Sequence, residues 1–77
     1  MNCMTLEQLR ATSLAGGVTG VTLKGQGGGF VIEIATRSGQ EAFLAKARST
    51  EPRRFGNPAS ALLVLRDMGL DTIRVDV

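Results

Sequence analysis

The stretch that decides the fold is Gly29–Gly69, GFVIEIATRSGQEAFLAKARSTEPRRFGNPASALLVLRDMG. Phe30 to Arg37 and Gln40 to Ala47 read as two strands, rich in apolar and β-branched residues on alternating positions. Ser38-Gly39 between them suits a two-residue hairpin turn. An irregular basic loop, Ala47 to Gly56, leads to a helix. Asn57 is its N-cap, and Pro58 takes the first helical position, where the missing N–H has no partner to lose. Ala61, Leu62, Leu65 and Met68 share a face that Leu63 and Val64 widen, and Gly69 supplies a left-handed stop.

Outward from that stretch, Thr5-Leu6-Glu7-Gln8 fits a capping box that opens a short helix with Leu6, Leu9, Ser13 and Leu14 on its stripe. Gly16-Gly17 ends it at about Ala15. Residues 1 to 4 are expected to fray. Val18 to Lys24 is a strand, and Gly25-Gln26-Gly27-Gly28 reads as a four-residue turn. Thr72 to Val77 alternates again, with Ile73, Val75 and Val77 on one side.

The two turns fix registers that can be compared. The first pairs Leu23 with Phe30, Val21 with Ile32 and Thr19 with Ile34. The second pairs Ile34 with Phe43, Ile32 with Ala45 and Thr36 with Glu41. Val21, Leu23, Phe30, Ile32, Ile34, Phe43 and Ala45 then share one apolar face. Thr22, Glu33, Arg37, Gln40 and Lys46 lie on the other, with Val31 and Leu44 among them. The expected fold is a single α+β domain over residues 1–77 in the order α-β-β-β-α-β: two layers, with one mainly antiparallel four-stranded sheet carrying both helices on one face.

Composition narrows the function. The chain has 77 residues, a 43% hydrophobic fraction and three Phe as its only aromatics, so its core is thin and aliphatic. Nine basic residues against seven acidic ones give a net charge of +2, too small to be a nucleic-acid signature by itself. Cys3 has no second cysteine to pair with, and the absence of histidine removes His-based triads and metal sites. No signal peptide and no membrane-length apolar run is present, so a soluble cytoplasmic protein is the expectation.

No catalytic constellation is visible. The acidic residues are scattered, and no Ser or Cys stands beside an evident base. The expectation is therefore not an enzyme, with no cofactor, no metal and no small-molecule substrate. Glycine-rich phosphate cradles hand the chain to a helix, whereas Gly25, Gly27, Gly28 and Gly29 hand it to a strand, which makes them a hairpin turn. The basic segment is the better candidate. Lys46, Arg48, Arg53 and Arg54 precede a helix N-terminus, and two readings stand: arginine forks that hold phosphates, or a solvated loop whose arginines pair with Glu41 or Glu51. Phe55 either staples the helix or stacks on a base. These five residues are the candidate contacts for nucleic acid or a protein partner. The element order also matches a double-stranded RNA-binding domain, but Asn57-Pro58-Ala59-Ser60 stands where that domain carries lysines.

Gly20-Val21-Thr22-Leu23-Lys24, Ile34-Ala35-Thr36-Arg37-Ser38-Gly39, Leu44-Ala45-Lys46-Ala47-Arg48 and, above all, Glu51-Pro52-Arg53-Arg54-Phe55-Gly56-Asn57-Pro58 carry a resemblance. They resemble the N-terminal region of the ParC-like plasmid partition-associated proteins. The resemblance implies a bacterial plasmid or mobile element and an accessory role beside plasmid maintenance or partition genes, and no established activity; a partition protein or DNA is the partner expected in that setting. It implies no catalytic residue. Family members generally continue into a longer charged, helical C-terminal region. The present 77 residues correspond to the N-terminal part, as a short relative or an isolated domain.

The leading expectation is thus a non-enzymatic accessory protein acting through protein contacts, with a small nucleic-acid-binding protein as the alternative. Self-association as a homodimer is also expected, through an open sheet edge or the Leu63–Val64 flank of the second helix.

Overall fold

The structure, a computed structural model, describes residues 2–70 and 72–76. Its elements are β1 (Cys3–Met4), α1 (Leu6–Leu14), β2 (Val18–Gln26), β3 (Gly29–Thr36), β4 (Glu41–Leu44), α2 (Pro58–Asp67) and β5 (Arg74–Asp76). The fold is α+β, with two helices and a five-stranded mixed sheet in the order β1-β4-β3-β2-β5.

That corrects the four-stranded expectation. Cys3 and Met4 do not fray but pair in parallel with Phe43 and Leu44. The Phe43 N–H donates to Asn2 O at 2.9 Å, and the Ala45 N–H donates to Met4 O at 2.8 Å. An edge strand this short carries no alternation by which it could be read. Beside β2, at the opposite edge, β5 runs parallel to it. The expected strand residue Val77 lies outside the described residues.

Strands β1, β4, β2 and β5 share one direction, and β3 alone opposes them. Helix α1 joins β1 to β2, and α2 joins β4 to β5. Each link crosses the sheet in the same sense, so crossovers of one hand put both helices on one face. Leu9 of α1 and Ala61 and Leu65 of α2 occupy a single buried cluster with Val21, Leu23, Ile32, Ile34, Leu44 and Phe55. Helix α1 contributes less than its stripe suggested: Leu9 is fully buried, whereas Leu14 is 82% exposed. Ser13 turns toward α2, and its Oγ donates to Met68 O at 3.4 Å.

Local capping follows the residues that encode it. The Thr5 hydroxyl accepts from the Gln8 N–H at 3.0 Å, and Gln8 Oε1 accepts from the Thr5 N–H at 2.8 Å. Asn57 Oδ1 accepts from the Ser60 N–H at 3.0 Å, with Pro58 in the first turn. At the other end of α2, the N–H groups of Gly69 and Leu70 donate to Arg66 O and Leu65 O at 2.9 and 3.0 Å, closing a Schellman stop.

Both hairpins differ from the expected register. Gly27 and Gly28 take φ of 59° and 82°, the two left-handed positions of a type I′ turn, so Gln26 pairs with Gly29. The turn has two residues rather than four. Leu23 meets Ile32 and Val21 meets Ile34. A slip of two leaves every side chain on its expected face.

The second hairpin slips by one. Thr36 N–H donates to Gln40 O at 2.9 Å, and the Gly39 N–H donates to Thr36 O at 3.0 Å, with Gly39 at φ 88°. This is a three-residue loop, Arg37-Ser38-Gly39, whose left-handed third position glycine fills. A one-residue slip flips the strand that follows. Leu44, not Phe43, enters the core, fully buried, and Phe43 lies across from Glu33 on the opposite face. Ala45 moves to that face with it.

Candidate functional site

The basic loop is tied into the sheet at both ends. Ala45 and Pro52 form an antiparallel bridge, and beyond it Phe55 forms another with Phe30. Between them the Lys46 N–H donates to Glu51 O at 2.8 Å and the Ser49 N–H donates to Lys46 O at 3.1 Å. The result is a tight, hydrogen-bonded loop on which Lys46 and Arg48 are exposed. Arg48 holds φ at 58°, a left-handed conformation that costs a non-glycine residue about 1–2 kcal/mol.

The arginines divide by the alternation of the extended chain. Arg53 lies on the side of Phe55, its guanidinium carbon 4.7 Å from the ring centroid. Arg54 reaches the other way to the β2–β3 turn. Its Nη1 donates to Gln26 O at 2.8 Å and stands 3.5 Å from Gly27 O. Four of the five expected contacts, Lys46, Arg48, Arg53 and Arg54, are exposed. Phe55 is 4% exposed and belongs to the core, so its ring has no free face for a base. Phe55 shares the buried cluster with Ala61 and Leu65 of α2, as a staple would, and its backbone is bridged to Phe30 of β3 as well.

A second surface is the sheet face without helices. The ladder places Cys3, Phe43, Glu33, Thr22 and Arg74 in one row across all five strands. Val31 and Ala45, on the same face, are nonetheless buried. Beside the row lies a groove of about 560 Å³, lined by Gly20, Thr22, Glu33, Ala35, Glu41 and Arg74 among others. Gly20 and Ala35, paired across the strands, place no large side chain there. The groove is mixed in charge, and sequence reading did not find it because it depends on the ladder register. Among the described residues no group of three His, Cys, Asp and Glu gathers to hold a metal.

The third feature is the β5 edge. Arg74, Val75 and Asp76 are all exposed, and alternate N–H and C=O groups of such a strand point away from its single neighbour. Val75 stands across from Leu23 on the helix side of the sheet. It is 57% exposed where Leu23 is fully buried. The alternation of Thr72 to Val77 was the signal for this edge in the sequence.

No protein-family model, curated protein or solved structure matches the chain. Among the described residues no helix is long and apolar enough to cross a membrane.

Proposed function

We propose that this protein is a non-enzymatic interaction factor that works through its open sheet edge, in the bacterial cytoplasm, as an accessory of a plasmid or other mobile element. The β5 edge carries this reading. Its three residues are exposed, and among the described residues β5 is the last strand of the sheet, with β2 as its one neighbour. A sheet edge recruits a partner strand by main-chain hydrogen bonds. The resemblance of the Glu51 to Pro58 string to ParC-like partition-associated proteins supports the genetic setting and the role beside partition genes. A second copy of the chain or a partition protein is the partner.

Light scattering over about a hundredfold concentration range tests the self-associating form. A mass that climbs from 8.1 kDa toward twice that value supports it. A mass that stays at the monomer value into the high micromolar range contradicts it.

A second reading rests on the basic loop. Lys46, Arg48 and Arg53 are exposed within one short segment, and the left-handed Arg48 is held on a hydrogen-bonded turn. That arrangement favours contact with a nucleic-acid backbone.

A further inference from the structure

The geometry points to one specific partner for β5: a second copy of the same strand, antiparallel, with the two-fold axis at Val75. This rests on the interaction reading above and names its partner and register. Such an axis stands perpendicular to the sheet and keeps both helical layers on the same side. Residues one step either side of the axis then face each other. Arg74 of each copy stands across from Asp76 of the other, and Val75 stands across from Val75. The ladder with β2 places Arg74 and Asp76 on the helix-free face, beside Thr22 and Lys24. It places Val75 on the helix side beside Leu23. The Arg-Val-Asp triplet is therefore self-complementary in both charge and face.

Other centres lack that property. An axis at Arg74 or at Asp76 sets a charge against its own copy, which opposed strands disfavour. The apolar layer supports the same choice. It runs through Leu23, fully buried, and stops at Val75, 57% exposed. A second Val75 continues it. The other edge, Cys3–Met4, has no such charge pattern. A three-residue edge buries less than the roughly 1,200–2,000 Å² of a stable interface, so this dimer is weak and reversible. That sets the test at high micromolar concentration.

Sedimentation velocity under reducing conditions, which keep Cys3 from cross-linking copies, reads the dissociation constant. R74D and D76R each create like charges across the axis twice, and each should weaken the dimer by about tenfold. The double variant R74D/D76R restores opposite charges and should return to the wild-type constant. An equimolar mixture of the two single variants should recombine into a heterodimer. Circular dichroism confirms that each variant is folded. Single variants that associate like wild type overturn the β5 register while leaving self-association standing. A double variant as weak as the singles overturns it too. A wild-type protein that stays monomeric removes both this pairing and the self-associating reading.

Discussion

Phe30 and Phe55 exchange both backbone hydrogen bonds, the Phe30 N–H donating to Phe55 O at 2.9 Å and the Phe55 N–H donating to Phe30 O at 2.8 Å. The β3–β4 ladder ends at Glu33 and Phe43, so the start of β3 lacks β4 as a neighbour. The returning loop takes that place. It satisfies backbone groups that burial would otherwise strand, and it brings the Phe55 ring into the core two residues before the α2 cap.

Phe55→Ala should therefore cost about 3–5 kcal/mol, the range for emptying a buried aromatic site. In a domain whose total stability is on the order of 5 kcal/mol, most molecules would be unfolded at room temperature. Arg53→Ala removes only a partly solvated cation–π contact, and should cost about 0.5–1 kcal/mol. Urea melts of the two variants check the contrast. Similar midpoints would mean that the ring is not a core element.

The β3–β4 register makes a second demand. Leu44→Ala should lose about 2–4 kcal/mol, because Leu44 is fully buried against Ile32 and its neighbours. Phe43→Ala should lose less, since Phe43 is only half-buried on the helix-free face. The two-residue turn expected from Ser38-Gly39 requires the reverse order.

These contrasts show what the sequence could express. The caps at Thr5 and Asn57 are local hydrogen-bond chemistry, written in consecutive side chains, and they form as read. Both helices and the three-stranded meander follow from periodicity. The register after Ser38-Gly39 was not legible, because Phe43, Leu44 and Ala45 are all apolar and fit either parity. Only the choice of turn separates them. The pairing of Cys3–Met4 and of Phe55 depends on distant strands, and neither segment is long enough to carry a pattern. The basic loop was visible as a charge cluster. That Arg54 binds turn carbonyls and that Phe55 is buried could be seen only in three dimensions.

Turn chemistry gives a third outcome. Gly28 has φ 82° and open space where a Cβ would stand, so Gly28→Ala isolates conformational strain. It should cost about 1–2 kcal/mol. Gly56 is equally open without a left-handed φ, and Gly56→Ala should fall within about 0.5 kcal/mol of wild type. Thermal melts that shift alike for both would contradict the type I′ assignment.

The nucleic-acid reading is tested by salt. Backbone contacts from Lys46, Arg48 and Arg53 predict a log–log slope of affinity against salt of roughly −2 to −3. Arg48→Ala with Arg53→Ala should flatten it to about −1. Absence of any mobility shift at low salt, with mixed-sequence duplex and with single strands, removes this reading.

The central claim is that β5 is the contact surface, and amide exchange at single-residue resolution tests it most directly. Exchange at Arg74, Val75 and Asp76 is compared at low and high micromolar concentration, across about a hundredfold range. The β5 amides that point away from β2 should exchange several-fold more slowly at the high concentration, because association closes the edge. Amides of α1 should not change. Exchange in β5 that is independent of concentration, while the mass of the protein rises, would place the interface elsewhere and contradict the account.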